Sequence, residues 1–124
     1  MCTVNVMFMI SIERVYGSKS KGFRILVDRV WPRGLTKESV NANLWLKDIA
    51  PSDGFRKWFG HDESKWEEFR EKYKNELKTK QQAERLQEIR NLERLNKNII
   101  LLFGAKDEKH NQAVVLKEVL DNFR

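Results

Sequence analysis

Two arginines flank a tryptophan in the segment VDRVWPRGL, where Arg29, Trp31 and Arg33 alternate with apolar residues. Pro32 stiffens this segment, and Gly34 permits a tight exit from it. Guanidinium groups hold phosphate or carboxylate through paired hydrogen bonds, and an indole ring stacks on a base or a cation. We therefore predict that Arg29, Trp31 and Arg33 bind an anionic ligand. The alternative is that an arginine–carboxylate pair fixes the loop while Trp31 packs in the core.

A histidine and an aspartate are adjacent in the segment FRKWFGHD. Histidine is the side chain that titrates near neutral pH, so His61 with Asp62 suggests an imidazole that a carboxylate assists in acid–base catalysis. Adjacent residues rarely hydrogen-bond in this way, and Asp62 is also suited to cap the following helix. Arg56, in the same segment, is predicted to bind the anion.

A further polar group follows an apolar run, in the segment GAKDEKHN. Lys106 and Asp107 are predicted to act in catalysis, and His110 and Asn111 to contact the ligand from the start of the last helix. The alternative role of Asp107 or Asn111 is to cap that helix.

The segment WLKDIAPS adds Lys47 and Ser52 as anion contacts. Ser52 also suits the cap of a helix, whose free backbone N–H groups attract anions. A serine nucleophile is disfavoured because the chain has no G-x-S-x-G turn. With two distant histidines and no glycine-rich phosphate or dinucleotide motif, the sequence predicts no metal and no cofactor.

Length and charge limit the class of protein. A chain of 124 residues suits one domain, here predicted over residues 1–124. The net charge is +6, and seven basic but only three acidic residues lie between Glu13 and Glu38. This excess indicates a small anionic molecule as partner, with nucleic acid as the alternative, although surface charge also serves solubility.

The N-terminal residues indicate an intracellular protein. The only cysteine is Cys2, which excludes an internal disulfide. The apolar segment Val4–Ile12 is too short to span a bilayer and lacks the features of a signal peptide, so no membrane partner is predicted. We expect a cytoplasmic location and read this segment as the first strand of a sheet.

Hydrophobic periodicity predicts an α/β chain. The predicted strands are Val4–Ile12, Phe23–Val27, Leu44–Ile49 (a strand or an extended segment) and Asn98–Phe103. The predicted helices are Lys37–Val40 after Thr36, Asp53–Phe59 between Ser52 and Gly60, a longer helix after Asp62, a helix over Gln81–Leu95, and a last helix from about His110. The inward face is predicted for the three longer helices. It consists of Trp66, Phe69, Tyr73 and Leu77 in the helix after Asp62; of Ala83, Leu86, Ile89 and Leu92 in the helix over Gln81–Leu95; and of Ala113, Leu116, Leu120 and Phe123 in the last helix.

These elements predict a single layered α/β domain, with a small, mostly parallel central sheet flanked by helices. In such folds ligands bind beyond the carboxyl ends of the strands. The segments 28–34 and 104–111 both leave strands in this way. We therefore expect their polar side chains to converge.

The same motifs carry a family resemblance. Together with W-x-x-F-x-x-x-Y and LLFGAKDEKHNQAVVL, they resemble the YeaO-like group of domain-of-unknown-function family 488, from about Ile10 to Leu120. The resemblance implies a small cytoplasmic α/β domain and supplies no function. Longer relatives tend to carry a cysteine after the last strand, where this chain has Phe103, Gly104 and Ala105, so thiol chemistry is not carried over.

Two readings of function follow. In the first, the protein is an enzyme or sensor for a phosphorylated or carboxylate metabolite, bound in one pocket. In the second, it is a nucleic-acid-binding or protein-interaction module without catalysis; no helix-turn-helix pattern supports the nucleic-acid form.

Overall fold

Four parallel strands form the central sheet. In the computed structural model, which describes residues 9–122, the strands are β1 (Met9–Arg14), β2 (Phe23–Leu26), β3 (Leu44–Trp45) and β4 (Asn98–Phe103). Their order is β1-β4-β2-β3, and every pairing is parallel. The prediction of a layered α/β domain with a mostly parallel sheet is confirmed.

The central strand β4 divides the core into two sides. Its apolar run from Ile99 to Phe103 is at most 1% exposed, as expected for a strand covered on both faces. Alternate side chains point to opposite faces of a strand, so Leu101 and Phe103 join the larger core, whereas Ile100 and Leu102 join the smaller one. The sequence reading of this strand is confirmed in type and bounds.

Helices cover the sheet and link its strands. They are α1 (Lys37–Val40), α2 (Asp53–Phe59), α3 (Trp66–Glu76), α4 (Lys80–Asn96) and α5 (Gln112–Asn122), with 3-10 turns at Lys47–Ile49 and Glu63–Lys65. Within residues 9–122, no helix is long and apolar enough to cross a membrane.

Local capping signals set several helix ends as predicted. Thr36 accepts the backbone N–H of Ser39 at the start of α1. Gly60 ends α2 with φ 53°, in the left-handed region that glycine favours. Asp62 caps the 3-10 turn that leads into α3. Ser52 occupies the N-cap position of α2, but its side chain makes no capping hydrogen bond.

Some expected bounds differ from the structure. The first strand runs over Met9–Arg14, and residues 4–8 of its predicted span lie outside the described residues, as does Phe123. The segment 44–49, predicted as a short strand or an extended segment, pairs with β2 at Leu44–Trp45 and then forms the 3-10 turn Lys47–Ile49. Ala83 is exposed rather than inward, and its neighbour Gln82 donates to the Asp48 carbonyl oxygen at 2.8 Å.

A buried tyrosine ties α3 to the loop after β3. The Tyr73 hydroxyl donates to the Ile49 carbonyl oxygen at 2.6 Å, and burial raises its pKa well above the ordinary value, so the donor stays protonated. Tyr73→Phe leaves this carbonyl without its partner and is expected to lower the free energy of unfolding by about 1–2 kcal/mol. Urea denaturation measures the loss.

Tyr16→Phe is the matched control for this substitution. Its hydroxyl donates to the Arg33 carbonyl oxygen at 2.9 Å in an exposed position, where water replaces the lost partner. Equal losses in the two variants would contradict the importance of burial at Tyr73.

Candidate functional site

A cleft of about 230 Å³ opens beyond the carboxyl ends of β2 and β4. The position agrees with the rule that α/β folds bind ligands where strands end. Its polar lining consists of Asp28, Arg29, Arg56, His61, Asn111 and Gln112. Its remaining lining consists of Val30, Ala50, Pro51, Phe59, Phe69, Gly104 and Ala105.

Asp28 is the buried acid of this cleft. It follows β2 by two residues, and its Oδ2 accepts the backbone N–H of Gly104 at 2.8 Å. Its Oδ1 accepts a hydrogen bond from the side-chain amide of Gln112. Burial raises the pKa of Asp28 to about 6, and these hydrogen bonds and the charges of Arg56 and His61 oppose that rise. The cleft therefore holds a carboxylate that changes charge in mildly acidic solution.

Gly104 allows this carboxylate to approach the backbone after β4. A Cβ atom at this position would lie 2.9 Å from the Asp28 Oδ2 atom, closer than real Cβ contacts. Any larger residue would push the carboxylate away and break its hydrogen bond with the Gly104 N–H. Glycine here thus joins the ends of β2 and β4 at the floor of the cleft.

Arg29 is fixed in place by backbone carbonyls. Its Nε donates to the Pro51 carbonyl oxygen at 3.0 Å and its Nη2 to the Ala50 carbonyl oxygen at 2.9 Å. No hydrogen bond among the described residues uses its Nη1. Arg29 therefore pins the loop before α2 and still offers donor capacity at the cleft.

Arg56 and His61 bring positive and polar groups from α2 and its end. Arg56 pairs with Asp53 at 3.4 Å, and its side chain is 46% exposed. His61 has φ 58°, a left-handed conformation that is uncommon outside glycine. Such strain recurs at functional positions. Both residues lie near enough to Asp28 to act on its pKa.

Asn111 caps α5 from within the cleft lining. Its Oδ1 accepts the backbone N–H of Ala113 at 2.9 Å, and its Nδ2 donates to the Asp107 carbonyl oxygen at 2.9 Å. The side chain is buried, so its polar atoms are used for local structure. The capping alternative considered for Asn111 is confirmed by these contacts, which also position Gln112 beside Asp28.

Of the three residues predicted to bind the anion from the arginine–tryptophan loop, only Arg29 lines the cleft. Trp31 packs against the smaller core, and its Nε1 donates to the Leu35 carbonyl oxygen at 2.7 Å. Arg33 is exposed, and its backbone carbonyl accepts the hydroxyl of Tyr16. Neither residue therefore belongs to the lining of the cleft.

Four other predicted site residues also lie outside the lining. The Lys47 Nζ lies 5.2 Å from the ring centre of Trp45. Ser52 is exposed, as is Lys106. Asp62 accepts the backbone N–H of Ser64 at 3.0 Å, and hydrogen bonds from Ser64 lower its pKa. Among the described residues, no hydrogen bond joins Asp62 to His61.

Asp107 and His110 form a second polar cluster outside that lining. The His110 Nδ1 lies 2.8 Å from Asp107 Oδ2 and 3.5 Å from Glu63 Oε1. Hydrogen bonds from His110 and the Lys109 N–H lower the pKa of Asp107. The ring of His110 meets Trp66 edge-on, with centres 5.1 Å apart.

Three residues of the cleft lining, Asp28, Gly104 and Gln112, were not predicted from the sequence. Asp28 could have been predicted, because it follows the same strand as Arg29, one residue earlier. The rule that ligands bind where strands end applies to both residues equally. Gly104 and Gln112 carried no comparable local signal. They become part of the site only because the fold brings distant segments together; Gln112, for example, lies 84 residues after Asp28 in the chain.

Comparison with known proteins identifies relatives, one of which matches nearly the whole chain. The uncharacterized protein YeaO of Escherichia coli strain K12 is 40% identical over 114 residues, which cover 90% of this chain and 96% of YeaO. The uncharacterized proteins Rv3073c of Mycobacterium tuberculosis and Mb3100c of Mycobacterium bovis are each 39% identical over 70 residues, covering 55% of this chain and 59% of theirs. No solved structure matches significantly.

The family assignment covers the sheet, the helices and the cleft. Residues 9–123 match the family DUF488-N3i, described as the inactive DUF488-N3 subclade. The resemblance to YeaO-like proteins expected from the motifs is confirmed by this match and by the similarity to YeaO. The chain therefore belongs to the DUF488 family, in its inactive DUF488-N3 subclade.

Proposed function

We propose that this protein binds a small anion, a phosphate ester or a carboxylate, in the cleft and does not convert it. The observation that carries the proposal is the meeting of Arg29, Arg56 and His61 around one small opening at the strand ends. Each retains ring or guanidinium nitrogens that no described residue accepts from. Such nitrogens are suited to bind the oxygens of an anion.

The two arginines are suited to different parts of this task. Arg29 is held by two carbonyl oxygens, so little side-chain entropy is lost when its remaining nitrogens bind a ligand. Within residues 9–122, Arg56 has one weak, exposed partner, Asp53, so its guanidinium can turn to bind the anion. A fixed donor with a mobile one is a sound arrangement for capturing a small ligand.

The size of the cleft favours a metabolite over an oligonucleotide. Pockets for drug-sized ligands occupy about 300–1,000 Å³, and this cleft measures about 230 Å³. The apolar part of the lining includes the buried rings of Phe59 and Phe69, which can contact the carbon atoms of the bound molecule. An anion with a few carbon atoms matches both the volume and the lining.

Binding without reaction is supported by the residues around the cleft. Its described lining contains no serine, threonine, cysteine, lysine or tyrosine to act as a nucleophile. Asp28 is engaged by Gly104 and Gln112. His61 has no hydrogen-bonded carboxylate to orient it within residues 9–122. The family description as inactive points the same way.

Titration calorimetry with inorganic phosphate, sugar phosphates and small carboxylates tests the proposal. Arg56→Ala is expected to weaken binding about tenfold or more, because a charge-assisted hydrogen bond contributes about 1.5–3 kcal/mol. Arg85→Ala is the matched control. Arg85 also forms an i,i+3 pair on a helix surface, with Glu88 at 3.1 Å, but lies outside the cleft.

Three results would contradict the proposal. Equal affinity in the Arg56 and Arg85 variants would place binding elsewhere. Conversion of a bound ligand, followed by NMR, would show catalysis. Binding of oligonucleotides alone, falling steeply with salt, would favour the nucleic-acid alternative.

A further inference from the structure

The second polar cluster brings three metal-ligating side chains together from distant parts of the chain. Glu63 begins the 3-10 turn before α3, whereas Asp107 and His110 belong to the loop between β4 and α5. Each offers one ligand atom, and these atoms all lie within 4.8 Å of one another. An imidazole nitrogen thus faces two carboxylates, an arrangement that one cation can satisfy at once.

The aspartate and histidine of this cluster are oriented in advance. Asp107 Oδ1 accepts the backbone N–H of Lys109 at 2.9 Å and of His110 at 3.1 Å, so its other oxygen is directed to the His110 ring. Trp66 packs edge-on against the same ring. Glu63, whose side chain is 72% exposed, is free to complete the site.

We propose that Glu63, Asp107 and His110 bind a divalent transition-metal ion, with zinc as the best fit. One nitrogen and two carboxylate oxygens form a mixed ligand set that suits zinc, whereas calcium and magnesium prefer oxygen alone. Three protein ligands leave the fourth tetrahedral position open to water. A neutral imidazole that binds the ion through Nδ1 carries its ring proton on Nε2.

This site is separate from the proposed anion cleft, since none of its three ligands belongs to the cleft lining. Loss of metal binding and loss of anion binding are therefore distinguishable results. The sequence alone did not indicate the site, because Glu63 is 44 positions from Asp107 and no zinc-like spacing joins them.

The test uses the full chain without a histidine tag, in a Cys2→Ser background that removes the only thiol. Calorimetry with ZnCl₂ and the visible absorption of added Co²⁺ are expected to report one ion per chain. Glu63→Gln is expected to weaken binding about tenfold or more, and His110→Gln more strongly. Glu67→Gln is the control, since this carboxylate is 79% exposed and belongs to the ion pairs of Arg70.

Because Glu63 is exposed, Glu63→Gln is expected to fold normally. Circular dichroism checks the fold of His110→Gln. If neither Zn²⁺ nor Co²⁺ binds detectably to the protein in which Glu63, Asp107 and His110 are unchanged, the proposal is overturned. Binding that stays unchanged in Glu63→Gln and His110→Gln would overturn it equally, because the ions would then be bound elsewhere.

Discussion

Asp28→Asn is expected to increase the free energy of unfolding at pH 7.5, by up to about 3 kcal/mol. The buried carboxylate has its pKa raised from 3.8 to about 6 in the folded protein. Each pKa unit corresponds to about 1.4 kcal/mol, so the ionised group destabilises the fold at neutral pH. An amide of the same shape removes that charge and still accepts from the Gly104 N–H, and its NH₂ group can donate to the Gln112 side chain once that amide turns its oxygen inward.

The pH dependence follows from the direction of this shift. Below pH 4, Asp28 is protonated in both the folded and the unfolded chain, and its contribution to stability is fully present. That contribution is lost as the pH rises through about 6. The advantage of Asp28→Asn over the wild type should therefore shrink as the pH falls from 7.5 to 4.

Urea denaturation at a series of pH values measures this difference. Asp48→Asn is the control, because Asp48 is exposed and should change stability little. A constant difference across the series, or a less stable Asn variant at pH 7.5, would contradict the assignment of Asp28 as a buried ionised acid.

The same substitution bears on the anion cleft. A negative charge beside Arg56 repels a bound anion, so Asp28→Asn should also bind phosphate more tightly at pH 7.5.

Arg24→Ala is expected to lower the free energy of unfolding by about 3 kcal/mol or more. Arg24 is 3% exposed, and its guanidinium donates to the carbonyl oxygens of Ser20 at 2.8 Å, Val40 at 2.9 Å and Asn41 at 3.0 Å. Without the guanidinium, these carbonyl groups beside β2 lose their hydrogen-bond partner. Each unsatisfied buried group lowers the free energy of unfolding by about 1–3 kcal/mol.

Two further variants separate the causes of this loss. Arg24→Met keeps the apolar volume and removes only the donors, so it should remain nearly as unstable as Arg24→Ala. Arg85→Ala removes an arginine from a surface pair and should change stability by less than about 1 kcal/mol. A fully stable Arg24→Met protein would contradict the role assigned to the hydrogen bonds.

Local patterns in the sequence were enough to predict most of the elements. The run Ile99–Phe103 is apolar without interruption, as a strand covered on both faces requires, and it forms most of the central strand β4. Gly60 ends α2 because a left-handed residue closes a helix within one turn. At residues 44–49 the local pattern was insufficient to predict where the strand ends, because pairing with a neighbouring segment decides it.

The candidate site was predictable in part. The strand-end rule selected the loops after β2 and β4, and Arg29 and Asn111 from those loops do line the cleft. It could not separate Asn111 from His110, which lie next to each other but face different clusters. Side-chain direction at a helix start depends on the packing of that helix, which no single segment encodes.

By itself, then, the sequence determined the class of the fold, its helices and central strand, and the loops that carry the polar residues, because caps, turns and hydrophobic periods act over a few residues. The tertiary structure alone decided which polar groups meet. It buries Asp28 between Gly104 and Gln112, and it brings Glu63 to Asp107 and His110. Burial and charge proximity arise between segments far apart in the chain, so they depend on strand order and helix packing rather than on local spacing.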